Sequence, residues 1–165
     1  MRGVALGLTL LAGCCGYSTH SLLPSHLKTV AVPPATNTTT QPGLAELLTD
    51  SLTAAFTADR TLRVTNAEAA DLVVNTTVSS YTRTASSYSS DSLAQKVSAY
   101  ELSVSAQVDA RDQTRNEQFY KGVASARVTY DPNAKPPNVN TEEQAAKEAI
   151  GKLASEIVRQ VQIAW

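Results

Sequence analysis

The hydrophobic pattern of this chain changes period along its length, and each change marks an element. Leu27-Lys28-Thr29-Val30-Ala31-Val32 is a β-branched run without clean alternation, stopped by Pro33-Pro34, which predicts a first strand buried on both faces. Residues 35–42 are polar and rich in Thr and Asn, so a loop is expected there. From Gly43 to Asp59 the apolar residues Leu44, Leu47, Leu48, Leu52, Ala55 and Phe56 fall on one helical stripe, with Glu46, Asp50 and Thr53 on the other side. Thr61–Thr65 then reads as a short strand. A strand, helix and strand in this order favour a parallel pair with a right-handed crossover.

Beyond residue 70 the period falls to two. Leu72, Val74, Thr76 and Val78 alternate with Val73, Asn75, Thr77, Ser79 and Tyr81, the pattern of a half-buried strand over Asp71–Arg83. Thr84–Gln95 is Ser-rich and reads as a mobile hairpin tip. From Lys96 to Arg111 the alternation is cleanest, with Tyr100, Leu102, Val104, Ala106, Val108 and Ala110 on one side and Glu101, Ser103, Ser105, Gln107 and Asp109 on the other. Asp112–Asn116 is a charged hairpin connection. Glu117–Tyr130 repeats the alternation, and its small residues Gly122, Ala124 and Ala126 leave room for a helix to approach. Prolines 132, 136 and 137 make 131–140 a loop. Thr141 and Gln144 form a capping box, after which Ala146, Ala149, Ile150, Leu153, Ile157, Val158 and Val161 line a helix face. The fold class is α/β in the α+β sense: a mostly antiparallel mixed sheet of four to five strands, with two helices packed on one face.

The N-terminus adds a location. Met1-Arg2 precedes an uncharged run from Gly3 to Leu11, and Leu11-Ala12-Gly13-Cys14 has the form of a bacterial lipobox, in which the cysteine is acylated and becomes the first mature residue. The apolar run falls short of the roughly 20 residues needed to span a bilayer. Residues 1–13 are therefore expected to be a lipoprotein signal peptide, 14–26 a lipidated Gly/Ser/Thr/Pro tether, and 27–165 a single domain. Cys14 is the expected lipidation site, and acyl chains would supply the membrane affinity. No aspartate follows it, because Cys15 stands there, so delivery to the outer membrane is the default reading.

Composition removes several functions. Both cysteines lie at 14 and 15, which leaves the domain without thiols for disulfides or metal. A formal net charge of −1, without long blocks of one sign, gives no nucleic-acid footprint. The two histidines, His20 and His26, lie in the tether, and no Ser, His and Asp are placed to form a triad. No metal-ligand spacing, phosphate loop or dinucleotide fingerprint occurs, so neither enzyme nor cofactor is expected. Asp109, Asp112 and Glu117 cluster near a hairpin and read as solvated surface charge. The Asn37 and Asn75 sequons are chance matches in a Thr-rich chain.

Several stretches, taken in order, resemble the LptE lipoproteins: Cys15-Gly16-Tyr17, Leu23 to Pro33, Gly43 to Thr49, Leu62-Arg63-Val64 and Ala70 to Val74, with the capped last helix ending in Trp165. The resemblance spans the mature chain and rests on the order of these segments. It implies a non-enzymatic outer-membrane lipoprotein that plugs the β-barrel LptD, supports its assembly and takes part in lipopolysaccharide transport to the outer leaflet. In that family, basic side chains at loop and strand ends are the suggested lipopolysaccharide contacts. None transfers residue by residue; Arg83, Lys96, Arg111, Arg115 and Lys121 near hairpin ends, and Tyr88 in the Ser-rich tip, are the candidates for lipopolysaccharide or partner contact. An envelope binding module that activates a peptidoglycan synthase could share the same plan, because fold does not settle function.

Overall fold

The computed structural model describes residues 23–91, 94–132, 134 and 141–164, with 89–91 and 94–96 as backbone only. Six strands and two helices follow one another as β1 (Thr29–Ala31), β2 (Thr36–Asn37), α1 (Leu44–Asp59), β3 (Arg63–Val64), β4 (Leu72–Asp91), β5 (Ala94–Asp112), β6 (Glu117–Tyr130) and α2 (Glu142–Ile163). One mixed sheet has the order β3-β1-β4-β5-β6, with β2 pairing further along β4. β1 is parallel to both β3 and β4, while β4, β5 and β6 form an antiparallel meander. The parallel pair and the mixed sheet are those expected from the pattern. β1 is buried throughout, as its unbroken apolar run requires.

β2 falls in a stretch expected to be loop. Two residues give no periodicity to read, and the strand is fixed instead by β4: Thr36 and Asn37 lie against Thr77 and Val78, and the Thr38 amide donates to the Val78 carbonyl at 3.0 Å.

The helices run side by side in the same direction. Their N-terminal residues Gly43 and Glu142 line one cavity, and at the far end the Gln162 side chain donates to Asp59 at the close of α1. α1 starts at Gly43, whose φ of 79° lies in the left-handed region that glycine enters without penalty. α2 starts on the expected capping box, with Thr141 accepting from the Gln144 amide and Gln144 accepting from the Thr141 amide, both at 3.2 Å. Leu44, Leu48, Leu52 and Phe56 of α1 meet Ile150, Leu153, Ile157 and Val161 of α2 in the core. Below them lie Leu72, Val74 and Val78 of β4, Leu102 to Ala110 of β5, and Ala124 to Tyr130 of β6.

Three expectations about the sheet need correcting. In the Ser-rich stretch, residues 84–91 and 94–95 are strand and not loop: the β4–β5 ladder continues to Asp91 opposite Ala94, and 92–93 lie outside the described residues. Residues 84–88 are exposed or only partly covered, so apolar alternation disappears although the backbone ladder does not, and the Thr and Tyr residues are good strand formers. Tyr81 was expected to share the face of Val73 and Asn75. A bulge between Val78 and Ser80 inverts the alternation, so Tyr81 pairs with Val104 and packs against the core. Gly122, for its part, does not admit the helix. Any side chain there would collide with the Tyr120 ring, which lies over it and donates its hydroxyl to Gln160 of α2 at 2.8 Å.

Candidate functional site

The sheet divides into a body and a projection. β6 ends at Tyr130, opposite Tyr100, and α2 begins beside them. Among the described residues, only β4 and β5 are paired past this level, from Ala85 opposite Tyr100 to Asp91 opposite Ala94. Six residues of extended chain carry this two-stranded ribbon about 20 Å beyond the body. Bulges between Ala85, Ser87 and Tyr88 lie just above its root. Tyr88 stands on the ribbon and is 60% exposed.

At the root, side chains from β4 and β6 converge on the first residue of α2. The Glu142 carboxylate accepts from Tyr81 Oη at 3.2 Å, from Arg83 Nη1 at 2.5 Å and from Tyr130 Oη at 3.4 Å. The Arg83 guanidinium also sits over the Tyr100 ring, 4.9 Å from its centroid, and Tyr100 stacks on Tyr130 at 5.8 Å. Burial, reinforced by the Glu142 charge, pushes the Tyr81 hydroxyl up to about 12. Tyr130 is raised as well, chiefly by burial. Beside this cluster a cavity of about 530 Å³ opens between the two helix starts, with Leu44, Leu47 and Ala146 as walls and Glu143 and Lys147 at the rim.

The opposite end holds the entry of the chain. Leu23 and Leu27 are buried in the core, and His26 Nε2 lies 2.6 Å from Asp112 Oδ2. Asp112 also accepts from the backbone amides of Thr114 and Arg115 at 2.8 and 3.0 Å. Asp112 was expected among solvated charges; its 1% exposure corrects that. It continues the even-numbered face that runs from Leu102 to Ala110, so it is carried into the interior. Burial works to raise its pKa, but the bonds from His26 and the two amides outweigh it and hold the carboxyl below its ordinary value. Nearby, Asp71 is lowered first by the Lys28 amide and then by the Thr29 hydroxyl, which ties the start of β1 to the start of β4.

The sheet face away from the helices carries Asn75, Thr77, Ser103, Ser105, Gln107, Asp109, Lys121, Val123, Ser125 and Arg127, and no described element covers it. Asn75, Thr77, Gln107, Asp109, Lys121 and Val123 edge a shallow depression of about 410 Å³. Val123 is 62% exposed.

The basic candidates do not form one cluster. Arg83 is held at the ribbon root by Glu142; Lys121 lies on the open face opposite Asp109; Arg111 is exposed at the entry end; Arg115 lies in the β5–β6 turn, 3.7 Å from Glu117. The side chain of Lys96, like Cys14, lies outside the described residues. The pattern of the chain did not point to the Glu142 cluster or to the His26–Asp112 pair. The signals were the tyrosines at 81, 100 and 130, one per strand, and an aspartate continuing an apolar alternation. Among the described residues no group of His, Cys, Asp and Glu could hold a metal ion, and no helix is long and apolar enough to cross a membrane.

Two parallel helices on one face of a mixed sheet, with a long central hairpin, define the class as a two-layer α+β domain. Similar folds include a hypothetical protein from Chlamydia trachomatis (14% identity, 82% of this chain and 96% of that one, TM-score 0.57). A protein from Xanthomonas campestris is also similar (12% identity, 86% and 90%, TM-score 0.55), as is the PelC dodecamer from Paraburkholderia phytofirmans (13%, 83% and 89%, TM-score 0.51). At these identities the likeness is one of fold. No curated protein matches the chain by sequence. The lipopolysaccharide-assembly family LptE matches residues 27–161, and the chain belongs to that family.

Proposed function

We propose that this protein is an outer-membrane lipoprotein, anchored through Cys14, that seats as a plug in an LptD-type β-barrel, supports the barrel's assembly and takes part in moving lipopolysaccharide to the outer leaflet. The observation that carries this reading is the opposition of the molecule's two ends. The chain enters at the His26–Asp112 end, where a lipid tether would hold it to the membrane, and the ribbon projects from the other. A domain held in this way has its ribbon free to enter a lumen, and the lumen of a large barrel is polar. The hydroxyl- and amide-bearing face of Asn75, Thr77, Ser103, Ser105 and Gln107 suits such a wall. Its role is complementarity, without catalysis. Tyr88, Lys96, Arg111, Arg115 and Lys121 are the proposed contacts with barrel or lipopolysaccharide, and Arg83 joins them only if it leaves Glu142.

A photoreactive side chain at Tyr88 in living cells tests this. Capture of a barrel-sized outer-membrane protein is expected, and depletion should lower surface lipopolysaccharide and admit large hydrophobic antibiotics. Capture of a peptidoglycan synthase, with surface lipopolysaccharide unchanged on depletion, would overturn the reading.

A further inference from the structure

Both helices end where the chain enters. Gln162, near the close of α2, donates to Asp59 at the close of α1, and the Arg63 amide at the start of β3 donates to the Lys28 carbonyl just before β1 at 3.0 Å. The His26–Asp112 pair lies at this same end, at the close of β5. Its charges are sorted. Lys28, Arg60 and Arg63 are exposed, and none of their side chains forms an ion pair or hydrogen bond with another described residue. The nearby acids are engaged instead: Asp59 accepts from Gln162 and the Thr61 amide, Asp71 from the amides of Lys28 and Thr29, and Asp112 is buried on His26. Glu68, in the β3–β4 connection, is the exposed acid without such a contact to a described residue. Ile163, next in sequence to Gln162, adds a large apolar side chain at 52% exposure.

We infer that this end is a membrane-contact surface, resting on anionic phospholipid headgroups of the leaflet that holds the acyl chains of Cys14. The inference rests on the lipid anchor proposed above and names what the anchored end touches. Cys14 lies nine positions before Leu23, so the anchor stands at most about 30 Å from the first described residue. The 19 residues of β5 carry the far end of the ribbon roughly 60 Å away. The lipid therefore brings the entry end, and not the ribbon, to the bilayer. Outward cations beside an exposed apolar side chain suit that interface, because the hydrocarbon enters the headgroup layer while the cations stay level with the phosphates. Arg60 and Arg63 share with Leu62 and Val64 the lining of a cavity of about 310 Å³, where one phosphate can meet both guanidinium groups. Such contacts orient a domain that acyl chains already hold.

The lipoprotein reconstituted into vesicles of phosphatidylglycerol and phosphatidylethanolamine with brominated acyl chains tests this, because bromine quenches tryptophan only at close range. In a Trp165→Phe background, a single tryptophan is placed by Ile163→Trp or by Tyr88→Trp. Fluorescence of Ile163→Trp should fall about twofold on reconstitution, and that of Tyr88→Trp should not change. Lys28→Gln with Arg63→Gln should relieve most of the quenching, and raised salt should do the same without any change to the fold. Arg127→Gln with Lys152→Gln removes equal charge elsewhere and should relieve none. Equal quenching at the two positions, equal quenching in phosphatidylcholine vesicles, quenching that survives both salt and the double variant, or none at Ile163→Trp in vesicles that carry the protein overturns the inference. Protein that fails to float with the vesicles overturns the anchor reading itself, and this inference with it.

Discussion

Asp112 shows how one carboxylate ties distant segments together. It is nearly inaccessible, yet it is satisfied by the His26 ring and two turn amides, which joins the entry of the chain to the β5–β6 turn. Asp112→Asn weakens the contact with the ring and leaves a poorer acceptor, so it should cost about 1.5–3 kcal/mol in urea unfolding at pH 7. The sign with pH follows from the direction of the shift. Asp112 and Asp71 both lie below 3.8 in the fold, so their contribution is fully present above that value and is lost as pH falls through their lower native values. Acid unfolding of Asp112→Asn should then show a shallower slope below pH 3.8 than the parent. None of this could be read from spacing, because the partner of Asp112 lies 86 positions away in sequence.

At the scale of elements, the apolar patterns were legible and the wet ones were not. The faces of α1, α2, β5 and β6 emerge as expected because burial imposes a period on the sequence. Leu102→Ala or Leu153→Ala, both at sites of 0% exposure, should each cost about 2–5 kcal/mol. Ser103→Thr and Ser105→Thr, on the uncovered face, should change stability by less than about 0.5 kcal/mol. Equal losses from the two sets in chemical denaturation would show that the second face is covered too. The ribbon escaped the pattern because residues 84–88, on both of its faces, are exposed or only partly covered. Tyr81 escaped it because one extra residue in a bulge inverts everything after it, and a bulge leaves no mark on composition. The Glu142 cluster depended on that inversion and so was not legible either.

At the scale of the whole molecule, the first described residues and the ribbon lie at opposite ends, and the proposed lipid should decide where the domain resides without deciding whether it folds. Cys14→Ser should abolish acylation in palmitate labelling and release the protein from membranes, while the thermal unfolding midpoint stays within about 2 °C, since the substitution removes no side chain of the described core. Acylation persisting in that variant would place the anchor elsewhere. Residence at a barrel would also be expected to weaken, through loss of local concentration.

The sheet's connectivity also sets an order of assembly. β4, β5 and β6 follow one another closely and zip by contacts close in sequence, whereas β1 pairs only across long separations, Val30 with Val64 of β3 and with Leu72 of β4. Local hairpins form before long-range parallel pairs, because the entropy of closing the intervening loop is paid first. The meander is therefore the template, and the N-terminal half docks onto it afterwards. In a chain delivered to its compartment N-terminus first, the earliest segment to arrive is the last to find its place, and until then its Leu and Val run is exposed to any chaperone in reach.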